Sequence, residues 1–142
     1  MTETRARSNA GVAIVSSLAA KADITSETVT DYTLASNVLT MDMANGNVGF
    51  IGTAPTAAMT FNFTNVPTTN GKAVTVTVFV TQGATGYLPT TLQIGGSAQT
   101  IKWPGGSAPT ATSGAGKIDV FSFTFIRRSS TWTVLGSSLV NY

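Results

Sequence analysis

From Glu27 onward the chain alternates between apolar and polar residues in short runs, broken by Gly, Pro, Asn and Ser every eight to twelve residues. The plainest run is Ala73–Thr81, where Val74, Val76, Val78 and Val80 point one way and Thr75, Thr77 and Phe79 the other. Ala58–Thr64 alternates through Met59, Phe61 and Phe63, and Val38–Met43 places Leu39, Met41 and Met43 on one face. Thr28–Leu34 and Val48–Ile51 are shorter candidates, the latter preceded by an Asn45-Gly46-Asn47 turn. Thr91–Ile94, Gly95-Gly96 and Gln99–Trp103 read as a hairpin. Ile118–Ile126 carries apolar residues on both faces, which predicts a central, buried strand. Trp132–Leu135 and Leu139–Tyr142 complete a set of nine or ten strands. The spacing predicts an all-β fold, a β-sandwich or jelly-roll-like domain over residues 27–142. Its core is expected around Val74–Val80 and Ile118–Ile126, with Phe61 and Phe63 opposite.

Residues 1–26 follow a different pattern. Val12, Val15, Leu18, Ala19 and Ala22 recur at helical spacing, and Asn9 could cap a helix that carries them. A helix this short is marginal alone in water, so its stripe must pack on the β domain or on neighbouring copies. An N-terminal arm or short helix is expected. Arg5, Arg7, Val12, Val15, Leu18 and Ala19 are its candidate attachment residues. The apolar stretch Gly11–Ala22 holds Ser16, Ser17 and Lys21 and is shorter than the roughly 20 residues of a spanning helix, so no membrane insertion is expected.

Composition narrows the chemistry. The chain has no His and no Cys. That removes thiol nucleophiles, Cys-ligated zinc, iron–sulfur clusters and most hydrolytic triads. The carboxylates Glu3, Asp23, Glu27, Asp31, Asp42 and Asp119 form no recognisable acid/base pair and no calcium loop. No enzyme activity and no cofactor are expected. Only 10% of the residues are charged, against about 25% in an average soluble domain. The net charge of +2 comes from basic residues scattered along the chain, with only Arg5/Arg7 and Arg127-Arg128 close together, so nucleic acid is not an expected partner. A Thr- and Gly-rich surface with so few charges suits burial against copies of itself or against other subunits.

Two features invite a closer reading. Trp103-Pro104-Gly105-Gly106 is explained as a strand end and turn, with the indole over the core edge. A glycan-stacking platform is the alternative, and Trp103, Tyr87 and Gln82 would be its contacts. Asp119 is the one charge in an apolar strand; a structural ion pair with Lys117, Lys102 or Arg127 is expected there, since an unpaired buried charge is costly.

The order of motifs in the second half is distinctive. Ile101-Lys102-Trp103-Pro104-Gly105-Gly106-Ser107-Ala108-Pro109-Thr110 is followed by Lys117-Ile118-Asp119-Val120-Phe121-Ser122-Phe123 and then by Trp132-Thr133-Val134-Leu135-Gly136-Ser137-Ser138-Leu139. Upstream, the valine strand ends in Thr81-Gln82-Gly83-Ala84-Thr85-Gly86-Tyr87. This order resembles the carboxy-terminal β domains of tailed-phage virion fibres and appendages, of the marine and cyanobacterial phage type. The resemblance runs over residues 74–142. It implies a β-sandwich that assembles as a homotrimer on the virion and contacts other virion proteins of the tail, collar or capsid. A host surface glycan would be a further partner. The chain carries no long shaft, which leaves a capsid decoration protein and a stand-alone carbohydrate-binding module as the competing expectations.

Overall fold

The computed structural model describes residues 27–111 and 114–142, so the N-terminal arm or helix and its attachment residues lie outside the described part. Ten strands form two sheets. They are β1 (Val29–Tyr32), β2 (Val38–Asp42), β3 (Val48–Ile51), β4 (Met59–Thr64), β5 (Lys72–Thr81), β6 (Pro89–Ile94), β7 (Ser97–Gln99), β8 (Ile101–Lys102), β9 (Ile118–Arg128) and β10 (Thr131–Leu139). The six-stranded sheet has the order β1-β3-β5-β9-β10-β8, and the four-stranded sheet the order β2-β4-β6-β7. The described chain is all-β, with two short 3-10 turns at Met43–Asn45 and Pro104–Gly106.

The first six strands alternate between the sheets. β1, β3 and β5 are parallel neighbours in one, and β2, β4 and β6 are parallel neighbours in the other. Parallel neighbours need a crossover; here each crossover runs through the opposite sheet, so the chain winds around the core. The corners are made by local polar chemistry. Ala35 and Val38 exchange both backbone hydrogen bonds across Ser36 and Asn37, which both have positive φ. The Asn37 side chain then accepts from the backbone N–H groups of Thr56 and Ala57, tying this corner to the next. Asp42 caps the 3-10 turn by accepting from the Ala44 N–H at 2.9 Å, and Gly46 (φ 119) supplies the reversal into β3.

Antiparallel pairs appear only later, in β6–β7 and in β5–β9–β10. The β6–β7 hairpin closes on Gly95 and Gly96, both at positive φ, the geometry of a two-residue primed turn. Ser129 and Ser130, at φ 48 and 61, close β9–β10 in the same way. The predicted Gln99–Trp103 strand is divided. Ser97–Gln99 pairs with β6, then the chain leaves at Thr100 and Ile101–Lys102 joins the other sheet beside β10. The predicted Leu139–Tyr142 strand is also revised: Leu139 ends β10, and Tyr142 exchanges backbone hydrogen bonds with Ile118.

The core lies between the sheets. Leu39, Met41, Met59, Phe61, Phe63 and Leu92 come from the four-stranded side, and Ile51, Val76, Val78, Val80, Phe121, Phe123, Phe125 and Val134 from the six-stranded side. Phe61 meets Phe121 and Phe123 edge-on at centroid distances of 6.2 and 6.1 Å, and Phe63 lies 5.0 Å from Phe125. These are the favoured aromatic geometries. The expected placement of Phe61 and Phe63 opposite β5 and β9 is what the structure has. β9 is central in its sheet, but only its inner row is buried. Val120, Ser122, Thr124 and Ile126 on the other face stay half-exposed, because no second layer of the described chain covers them.

Candidate functional site

Trp103, the first glycan candidate, sits between β8 and the Pro104 turn. Its ring meets Phe123 edge-on at 6.0 Å and rests over Gly136 of β10. A Cβ at Gly136 would lie 2.9 Å from the indole Cζ3 and 2.6 Å from the Cγ2 of Ile101. Glycine is therefore required there by packing, and the aromatic body of Trp103 is a half-buried wall of the core. Its remaining edge lines a crevice of about 230 Å³ with Pro104, Ser107, Ser137 and Ser138.

Gln82 and Tyr87, the other two candidates, are brought together. Gln82 is 1% exposed. Its amide donates to the Tyr87 carbonyl at 2.9 Å and accepts from the Tyr87 N–H at 3.0 Å, which closes the Gly83–Gly86 loop. The same amide donates to Asp119 Oδ2 at 3.0 Å. Trp103 does not join this pair. It belongs to the Phe123 level of β9, and Gln82 to the Asp119 level, four residues away along the strand.

Asp119 is fully buried, and its partners differ from those expected. Instead of a Lys or Arg, Oδ2 takes the Gln82 amide and Oδ1 takes the Asn141 N–H at 3.0 Å. A carboxylate held by N–H donors is satisfied without an opposite charge. The network joins the loop after β5, the start of β9 and the carboxy-terminal residues. Sequence reasoning missed it because Gln82 and Asn141 are far from Asp119 along the chain.

Other charged groups among the described residues are held by local contacts. Arg127 lies over the Trp132 ring, with its guanidinium carbon 4.8 Å from the centroid, and Arg128 is exposed. The Asn65 side-chain amide, at 2.8 Å, and the Ala44 N–H hold the Asp42 carboxyl below its ordinary range. Burial pushes the Tyr32 phenol above its ordinary value, and the nearby negative charge of Asp42 adds to the effect. Among the described residues no three carboxylates gather into a group that could hold a metal ion.

The two sheets present contrasting outer faces. The four-stranded sheet shows Thr40, Thr60, Asn62, Thr64 and Gln93 to the outside. The six-stranded sheet turns out a different set. Across β5 and β9, Thr75 pairs with Thr124 through their hydroxyls at 3.0 Å, and Thr77 with Ser122 at 3.1 Å. Beside this hydroxyl ladder lies an apolar field. Phe50 and Phe79 are 6.5 Å apart, and Phe79, Ile118, Val120, Leu139 and Tyr142 line a wholly apolar crevice of about 470 Å³. Leu135 and Leu139 are 43% and 59% exposed on this face.

Comparison with protein-family models, curated proteins and solved structures returned no match.

Proposed function

We propose that the chain is a structural protein of a bacteriophage virion, a homotrimeric fibre, spike or other appendage component attached through its N-terminal arm. The body is read as a β-sandwich, with partners among the other tail, collar or capsid proteins. The observation that carries this reading is the work done by the motif residues. Trp103 packs on Phe123 and over Gly136, and Asp119 clamps Gln82 and Asn141. The residues on which the resemblance to phage fibre domains rests are thus turn, core and latch residues, so the likeness is one of scaffold. An outer sheet face uncharged across its centre fits a subunit that is covered in its working state.

Capsid decoration is the second reading. Immunogold labelling of purified virions with antibody against this chain separates the two. Gold at the tail or collar supports the appendage, gold over the head supports decoration, and unlabelled particles refute both.

A further inference from the structure

We infer that the outer face of the six-stranded sheet is the surface through which copies of this chain associate, the occupant being a second copy. This inference rests on the homo-oligomeric part of the proposed function and gives it a location.

At the centre of the face stand Thr75, Thr77 and Phe79 on β5, Val120, Ser122, Thr124 and Ile126 on β9, and Leu135, Ser137 and Leu139 on β10, none of them charged. The charges of the face stand at its margins: Asp31 on β1, in register with Phe50, Lys102 on β8, in register with Leu135, and Arg128 at the end of β9. Asp31 and Lys102 lie on opposite edge strands of the sheet, so a second copy meets this face with no like charge at its centre. Apolar exposure is also concentrated here. Leu135 and Leu139 stand on the face, and Val29 begins its far margin.

The size is adequate. β5, β9 and β10 run for 10, 11 and 9 residues, and β3 lies beside β5. At ~3.4 Å per residue and ~4.8 Å between strands, these four present a face on the order of 600 Å². Two copies would bury about 1,200 Å², where stable specific interfaces begin. Pairing through the sheet edges is the weaker alternative, because the edge strands β1 and β8 have only 4 and 2 residues. In a threefold ring each face is shared between two neighbours: its β3–β5 half meets the β10 half of the next copy, so three heterologous contacts of roughly 600 Å² each close the ring and together bury about 1,800 Å².

The test uses the full chain at one fixed concentration. Light scattering is expected to give an oligomer for wild type and for Thr40→Asp, which alters the other sheet. Leu135→Asp/Leu139→Asp is expected to give a folded monomer by circular dichroism. If that double variant fails to fold, a second measurement decides. The chain has no cysteine, so Ser137→Cys and Thr40→Cys each carry a single thiol for maleimide. In the oligomer Ser137→Cys is expected to react at least tenfold more slowly than Thr40→Cys. Equal rates, or an oligomer that survives the double aspartate variant, would overturn this inference while leaving the homo-oligomer itself standing. A monomeric wild type would overturn both. A monomer in which Ser137→Cys is still protected would assign the face to another segment of the same chain.

Discussion

Gly136→Ala tests the packing of the marked tryptophan directly. The added methyl carbon would sit 2.6 Å from the Cγ2 of Ile101 and 2.9 and 3.0 Å from two carbons of the Trp103 ring. Carbon atoms in contact prefer about 3.5–4.0 Å, so the overlap approaches 1 Å. The indole cannot rotate away cheaply, because its ring also packs edge-on against Phe123. Ile101 belongs to β8, a two-residue strand at the sheet edge, and its displacement is the easiest relief. That places the cost within the range for overpacking, at about 2 kcal/mol. At about 4 °C per kcal/mol for a chain of this size, Tm should fall by about 8 °C. The assay is thermal unfolding by far-UV circular dichroism at one protein concentration, which keeps any association constant between variants. In an Ile101→Ala background the same glycine substitution should cost less than half as much, since the closest atom has gone. A Tm within ~1 °C of wild type, or equal costs in both backgrounds, would refute the packing argument.

Three other outcomes are expected. Asp119→Ala should destabilise by about 1–3 kcal/mol, because the Gln82 amide and the Asn141 N–H lose their acceptor. Asp119→Asn should cost nearly as much, since its NH₂ must face one of those donors. Faster amide exchange at Tyr142 in both variants would confirm that the carboxy-terminal residues are released. Tyr32→Phe should leave the urea midpoint unchanged or raise it, because the phenol oxygen is buried without a hydrogen-bond partner; a loss above ~1 kcal/mol would reveal a partner for it. Asp42 has a folded pKa below the ordinary carboxylate value, so its contribution is present above about pH 3.9 and is lost as pH falls through the lower folded value. Asp42→Asn should flatten the fall of stability with acid in that window, and an unchanged pH slope would contradict the assignment.

The strands were legible where one side chain in two enters the core. Val48–Ile51 is found as expected, and Lys72–Thr81 and Ile118–Arg128 differ from expectation only at their ends. The primed turn at Gly95-Gly96 was legible for the same local reason. The winding was not. Alternation tells which face of a strand is inside, but not which sheet the strand joins, and the segments between β1 and β6 look like ordinary turns. β9 shows a second limit. An apolar outer row reads the same whether it is covered by the chain's own second layer or left for a partner, and only the sheet order shows that Val120 and Ile126 have no cover within the described chain. For the candidate site, Trp103 and Asp119 were marked by their residue types, but their partners Gly136, Gln82 and Asn141 were set by tertiary register and left no local signal.

Sedimentation equilibrium of the full chain across a wide concentration range tests the central claim most directly. The account predicts one species at three times 14.6 kDa that persists on dilution. A mass that stays at 14.6 kDa at every concentration would contradict it.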